Sequence, residues 1–323
     1  MDKDIFRAGL ALVAALLIAP DSRAQEYPVK PLRIIVPLAP GGGNDTTARL
    51  VARKLADAIG QQVIVENRPG GAGAIAGEIV VRAPADGYTL YLASTTFTSS
   101  PALVQKLPFD TLRDFAPITR LAVVPGALIV HASLPVKSVK DVIALARSKP
   151  GELTFGSAGM GSGSHLGGEL FKQVTHVSMV HVPYKGSALV TTALLAGEVM
   201  TAFTNPISSL PHVKAGRLKN LGLSSAERWP LLPEYPTIAE SGAPGYETYI
   251  WNGMVVKSGT PAAITERLRK ELVSAINAPD VVKHLAADGS RPMVQSAEEF
   301  GAFLRNEVAK WDKVARAAGL RKD

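Results

Sequence analysis

The sequence predicts an α/β protein of two lobes, each built on a mainly parallel sheet flanked by helices, with a two-strand hinge between them. Three observations predict it. Short β-branched runs alternate with amphipathic helical patterns along most of the chain. Two of those runs end in glycine-rich loops that lead straight into helices. Finally, the apolar stretch LAVVPGALIVHASLP, residues 121–135, would exceed about 35 Å as a single strand, too long for an ordinary sheet. Pro125-Gly126 in its middle marks where the chain leaves one sheet and enters another.

The N-terminus is a separate object. Lys3 and Arg7 precede the apolar run AGLALVAALLIAP, and the small residues Ser22 and Ala24 flank Arg23. This is the pattern of a secretory signal peptide over residues 1–24, cut after Ala24. The run is well short of the ~20 residues that a membrane span needs. Strand patterns then follow at 32–37 (LRIIVP), 62–66 (QVIVE) and 89–93 (TLYLA). Four more lie at 153–157 (LTFGS), 178–182 (SMVHV), 199–203 (VMTAF) and 218–223 (LKNLGL).

Helices fill the intervals. Val51, Leu55 and Ile59 form an i, i+4, i+8 stripe, with Arg49, Arg53, Lys54 and Asp57 on other faces. Ser138 caps a helix carrying Val139, Val142, Ile143 and Ala146, stopped by Pro150-Gly151. Leu166, Leu170 and Val174 repeat the stripe in the next unit. The C-terminal third reads as helical: Thr260-Pro261 opens a helix with Ile264, Leu268, Leu272 and Ile276 in register. Ser296 and Glu299 make a capping box ahead of Phe300, Leu304, Val308 and Trp311, and Gly319 is placed to end that helix. A return crossing at LGLSSAERWP (221–230) would give one lobe residues 27–125 and 226–323 and the other residues 126–225.

Composition narrows the function. A hydrophobic content of 46 % suits a chain with a large core. Cysteine is absent, which excludes disulfides, thiol chemistry and lipid attachment through an N-terminal Cys. The net charge of +7 is spread without Arg/Lys tracts, so the field favours small anions and no nucleic-acid face is expected. There is no phosphate-loop G-x-x-x-x-G-K-[ST], no G-x-S-x-G and no histidine spacing for a metal. No cofactor is expected.

Chemistry concentrates in loops. PGGGNDTT (40–47) and GSAGMGSGSHLGGELF (156–171) are strand–glycine loop–helix units that expose backbone N–H groups to an anion, and TTFTSS (95–100) adds a polar loop with Thr95 and Thr96. Ser162 or Ser164 can cap the second helix and still offer hydroxyls to a carboxylate. His165, in that helix's first turn, is placed to see a ligand, and Lys185 closes a strand in the same lobe. His181 reads as a core residue of a buried strand.

The motifs YPVKPLRIIVP…PGGGNDTTAR, VIVENRPGGAG, PADGYTL, DFAPITRLAVVP, GSAGMGSGSHLGGELF, MVHVPYKGS and TIAESGAPGYE occur in order from about residue 27 to the C-terminus. Together they resemble the Bug-type periplasmic receptors of tripartite tricarboxylate transporters. The resemblance implies a two-lobed type II periplasmic binding protein without catalysis, which closes on a carboxylate and hands it to membrane transporter subunits. It implies a monomer in the periplasm, holding its ligand partly through backbone N–H groups and waters. Carried over by position, it points to Gly43, Asn44, Asp45 and Thr46, then to Ser157, Ala158, Gly159, Ser162, Ser164 and His165, with Tyr184 and Asn205 as walls.

Two positions depart from the family: Leu38 stands where an aromatic residue is common, and Thr204 where Asp is common. The first alters the stacking wall and the second removes an acidic group from beside the ligand. The expected ligand is a dicarboxylate or an aromatic carboxylate without an α-ammonium group. Two rival readings keep parts of this picture. One is a serine-type hydrolase of small esters using Ser162 or Ser164 with His165. The other is a solute receptor serving a sensor system.

Overall fold

The computed structural model describes residues 27–320, and the expected leader over 1–24 lies outside them. One sheet holds β1 (Leu32–Val36), β2 (Val63–Asn67), β3 (Thr89–Ala93), β4 (Phe115–Pro125), β10 (Tyr249–Lys257) and β11 (Arg291–Pro292), in the order β11-β4-β10-β3-β1-β2. The other holds β5 (Ala127–His131), β6 (Thr154–Ser157), β7 (Val180–Pro183), β8 (Thr201–Thr204) and β9 (Leu218–Leu223), in the order β7-β6-β8-β5-β9.

Among the named strands, parallel pairing is confined to the trios β2-β1-β3 and β7-β6-β8. β10 runs antiparallel to β3 and β4, β11 to β4, and β5 to β8 and β9. The sheets are therefore mixed rather than mainly parallel. Strands that carry the chain out of a sheet or bring it back lack the helical crossover that parallel neighbours require.

Helices α1 (Gly43–Ile59), α2 (Ala74–Arg82) and α3 (Thr95–Leu103) belong with the first sheet, and α4 (Val139–Ser148), α5 (Gly163–Thr175), α6 (Ser187–Ala196) and α7 (Pro206–Lys214) with the second. The chain ends in α8 (Ala262–Ile276), α9 (Pro279–Ala287) and α10 (Ala297–Ala317). The predicted stripes are the buried ones. Val51 and Leu55 of α1 join Leu268, Leu272 and Ile276 of α8 on one face of the first sheet, against Leu32, Ile34 and Val36. Val139, Val142, Ile143 and Ala146 of α4 pack with Phe155 and Phe171. The Ser138 hydroxyl accepts from the Asp141 N–H, and Ser296 with Glu299 forms the capping box of α10.

The long apolar stretch divides as its Pro-Gly pair implies: β4 ends at Pro125 in the first sheet and β5 begins at Ala127 in the second. The return is more complicated than one crossing. Ser224 N–H donates to Gly126 O at 2.8 Å, and the Ser224 hydroxyl accepts from Gly126 N–H at 2.7 Å and donates to Thr248 O at 2.6 Å. Three passages of chain are thus tied at one serine.

After 225 the chain visits the first lobe, where Trp229 Nε1 donates to Gly289 O. It then goes back: Leu223 N–H donates to Pro236 O, Ile238 N–H to Leu223 O, and Ile238, Ala243 and Tyr246 enter the core of the second sheet. Residues 236–246 therefore pack on the lobe opposite to the one expected from a single cut at 225/226. Their polar turn composition carries no periodicity that would assign them to either core.

β10 is the element the helical reading of the C-terminal third omits. Asn252 and Gly253 interrupt its β-pattern, and the ladder to β4 is irregular at Asn252/Gly253 and again at Met254/Val255. Gly253 is required because a Cβ there would collide with the Phe300 ring. Helix α10 spans both lobes. Phe300 and Leu304 pack on the first-sheet core, while Trp311 and Val314 pack on Leu166 of α5. Between them the buried Glu307 carboxylate accepts from Trp311 Nε1 at 2.8 Å and Trp251 Nε1 at 3.4 Å.

Candidate functional site

In the first sheet β1 has β2 on one side and β3 on the other, so the loops after β1 and β3 diverge. In the second, β6 has β7 on one side and β8 on the other. These are topological switch points, where open α/β sheets leave a crevice at the carboxyl ends of their strands. Leu38 and Gly43–Thr46 follow β1, and Thr95 and Thr96 follow β3. Ser157, Ala158, Gly159, Ser162, Ser164 and His165 follow β6 through its last residue, Tyr184 follows β7, and Thr204 with Asn205 ends β8.

The two crevices meet. The Ser99 hydroxyl on α3 donates across the lobes to Gly161 O at 2.9 Å. A Cβ placed on Gly163 would lie 3.2 Å from Thr95 Oγ1 and 3.7 Å from Ile250 Cγ1. One placed on Gly161 would lie 3.1 Å from Leu103 Cδ1 and 3.4 Å from Ala72 Cβ. The second glycine loop thus rests along α3, from Thr95 to Leu103, and on the turn before α2.

The first lobe presents open helix starts. Gly42 and Ser94, the N-caps of α1 and α3, make no side-chain capping bond. The leading N–H groups of two neighbouring helices therefore face the crevice, each at the positive end of a helix dipole. Asn44 Nδ2, Ser94 Oγ and Thr95 Oγ1 are buried here without a hydrogen-bond partner among the described residues. Asp45 is engaged elsewhere: it accepts from Gly41 N–H at 3.0 Å and pairs with Arg49. Burial alone would raise its pKa, but the bonds from Arg49, Gly41 and Asn67 outweigh that and hold it below the usual carboxylate range.

Gly43 is not fixed as glycine by the fold. Its φ is not positive and a Cβ there meets nothing within 4 Å, so neither backbone strain nor crowding within the protein requires glycine at this position. The left-handed residue is Gly41, at φ +82°.

The second lobe's loop satisfies most of its own groups. Ser162 Oγ accepts from His165 N–H at 3.3 Å as N-cap of α5, donates to Gly159 O at 2.6 Å and lies 2.9 Å from Ser164 Oγ. Ser164 Oγ accepts from Ala158 N–H at 2.9 Å, and Ser157 Oγ pairs with His181 Nε2 at 2.6 Å. His181 lies on the half-exposed edge strand β7, not in a buried strand.

His165 is fully buried and stacked on His181 with centroids 4.0 Å apart. Its Nδ1 accepts from Gly161 N–H at 3.1 Å, which leaves the proton on Nε2, a donor with no partner among the described residues. Burial, His181 and Lys172 lower its pKa to about 3. The ring is neutral, so it offers a hydrogen bond and no cationic charge. Lys185 is solvent-exposed.

Tyr184 lies against Gly156, with its hydroxyl donating to Glu198 at 3.3 Å. Leu38 is half-buried and its carbonyl accepts from Asn67 Nδ2. Thr204 is buried beside Gly126 and Ser224, its hydroxyl without a partner among the described residues.

Sequence reasoning missed the loop RPGGAG (68–73). It reaches the opposite lobe too: a Cβ on Gly161 would lie 3.4 Å from Ala72 Cβ, and one on Gly73 would lie 3.2 Å from Thr96 Cγ2. Its signal was present, since it is a third glycine run between a strand and a helix. Ser99 was missed as well, as one hydroxyl among several.

Two lobes, facing switch points and converging donors define a solute-binding receptor. The chain belongs to a family of such receptors: the model for the tripartite tricarboxylate transporter family receptor matches residues 47–320. It is similar to BugT of Bordetella pertussis, 33 % identical over 315 residues that cover 97 % of this chain and 96 % of that one. Among solved structures it is similar to Rpa4515 of R. palustris with adipate, at 38 % identity, TM-score 0.84, covering 91 % of this chain and 99 % of that one. It is also similar to MatC of Rhodopseudomonas palustris with bound malate, at 28 % identity, TM-score 0.81, covering 89 % and 99 %.

The family is one of receptors, not enzymes. The hydrolase reading also fails on geometry, because Ser162 and Ser164 bond to the loop backbone and to each other while the His165 ring bonds to Gly161 N–H. An imidazole held near 3 is too weak a base to activate a serine at neutral pH.

Proposed function

We propose that the protein is an extracytoplasmic receptor that binds a small carboxylic acid, a dicarboxylate or an aromatic carboxylate, between its lobes. It acts as a monomer in the periplasm and delivers the acid to membrane subunits of a tripartite transporter. Its lobes are 27–125 with 226–235 and 247–320, and 126–225 with 236–246.

One observation carries the reading: the first lobe has two helix starts without side-chain caps, the second has a buried, unpartnered imidazole Nε2–H, and the Ser99–Gly161 bond joins the lobes between these elements. Donors converging from both lobes favour an anion and stabilise the closed form over the open one. The adipate and malate bound by the two structural relatives are the kind of ligand such donors suit. An ammonium group is disfavoured, because a buried charge wants a counter-charge, Asp45 is already paired with Arg49, and Thr204 supplies only a hydroxyl.

A thermal-shift panel pairing each acid with its α-amino counterpart tests this. At a hundredfold excess over Kd a ligand adds about 2.7 kcal/mol of stability, enough to move the midpoint by several degrees. Succinate, glutarate, adipate or an aromatic acid should raise it. A response to aspartate or glutamate alone would contradict the assignment.

A further inference from the structure

Away from the glycine loops, helices α5 and α10 meet across the boundary between the lobes. Leu166 of α5 is fully buried against Trp311 and Val314 of α10. Leu170 and Val174 continue the same stripe but are only half-buried, and a groove of about 700 Å³ opens beside them. That is far larger than the water-sized voids of a packed interior. Leu170, Val174 and Val314 give the groove an apolar floor, and Lys313 and His176 stand exposed on its rim. Its walls belong to different lobes: α10 is rooted in the first-lobe core through Phe300 and Leu304, and α5 in the second-lobe core through Phe171. Movement of one lobe on the other therefore reshapes this groove as well as the cleft.

The charge on the lining has one sign. Three of its residues are basic, Lys310, Lys313 and His176, and none is acidic. Lys310 Nζ donates to Glu247 O at 3.1 Å and pairs with the buried Glu307 at 3.4 Å. Lys313 forms no ion pair among the described residues. An apolar floor with a cationic rim suits a segment that carries an apolar face bordered by carboxylates, which is an acidic amphipathic helix. A partner that receives the acid must also tell the loaded receptor from the empty one. A surface shared by both lobes does so, because a partner that fits only the closed arrangement is favoured by the ligand that closes it.

We propose that the groove between α5 and α10 is a docking surface for an acidic amphipathic segment of the membrane subunits that take up the acid. The inference rests on the transport reading and adds to it the surface at which closure is sensed.

Uptake into proteoliposomes that carry the cognate membrane subunits tests it, with receptor concentration varied and with radiolabelled adipate, succinate or an aromatic acid that the wild type binds by calorimetry. Lys313→Glu combined with Gln173→Glu puts a carboxylate on each wall, and both positions are exposed and outside the ligand site. Affinity for the acid should stay within about twofold, while the half-saturating receptor concentration for uptake should rise on the order of tenfold. Lys313→Ala, the milder variant, should raise it by a smaller factor. Lys283→Glu, on the exposed side of α9, makes the same change of charge elsewhere and should leave it within about twofold.

An unchanged half-saturating concentration in the double variant, or an equal rise in Lys283→Glu, would overturn the inference and leave the transport reading intact. A change in the receptor's own association state in the double variant, read by light scattering, would overturn it as well, with a second copy of the chain as the occupant. Failure of the wild type to support uptake of any acid that it binds would overturn the transport reading and this inference with it.

Discussion

The two glycine loops look alike in sequence and behave differently in the fold. PGGGNDTT starts α1 with a glycine cap that has no side chain to offer, so its leading N–H groups stay open. GSAGMGSGS starts α5 with a serine cap, and its serine hydroxyls bond to the loop itself. In the proposed function the first loop is the receptor surface. The second is held by its own bonds, carries one buried donor without a partner among the described residues, His165 Nε2, and rests on Thr95 and Ser99 of the opposite lobe. Similar composition therefore suits different work: in the proposed function, open backbone N–H groups hold the anion while a self-satisfied loop keeps its shape.

The contrast is broken most severely at Gly161. It sits at φ +75° and its Cβ position is hemmed in by Leu103, Ser99 and Ala72 of the other lobe. Gly161→Val adds backbone strain to a clash that appears only on closure, and should cost roughly 3 kcal/mol, about a hundredfold in Kd. Small-angle scattering with a saturating acid should then show no contraction of the variant, whereas the wild type contracts.

Next comes His165→Phe, which keeps a ring on His181 but removes the Nε2–H together with the Nδ1 that accepts from Gly161 N–H. Loss of a hydrogen bond to a charged group should weaken binding by about 2 kcal/mol, some thirtyfold, with the fold retained by circular dichroism. Wild-type affinity in this variant would take the second loop's donor out of the site.

Ser164→Ala is expected to act on the loop rather than on the ligand. Its hydroxyl holds Ala158 N–H and Ser162, so about 1 kcal/mol should be lost from stability, with a smaller change in affinity. A larger loss in affinity than in stability would make Ser164 a direct ligand contact and bring the two loops closer in role.

The smallest effect is that of pH on binding. His165 is lowered to about 3 and His181 to about 4, so affinity should be flat from about pH 5 to 8 by calorimetry. Stability should not be flat. Unfolded histidines take protons near 6.5 while the native rings resist, so stability is complete above about 6.5 and falls as pH drops toward the native values. Melting midpoints should show that slope in the wild type and a shallower one in His165→Phe.

These contrasts also mark what was legible beforehand. The parallel trios, the Pro125-Gly126 passage and the capped helices follow from local signals: β-branched runs, a breaker pair and serine caps with their acidic partners. β10 did not, because Gly253 stands where the Phe300 ring leaves no room for a side chain, and that demand comes from 47 residues further along the sequence. Residues 236–246 did not, because turns carry no period that names their core. In the site, the glycine loops were visible as composition. Their difference was not, because whether a serine faces a ligand or its own backbone is set by the loop's conformation.

The central claim is that one carboxylate is held between open N–H groups of the first lobe and the His165 Nε2–H of the second. A crystal structure of the protein with a dicarboxylate that it binds tests this most directly. The predicted result is a carboxylate oxygen within about 3 Å of N–H groups at the start of α1 or α3, with another oxygen of the acid at a similar distance from His165 Nε2. An acid bound to one lobe alone, or held by Lys185 with His165 left unpartnered, would contradict it.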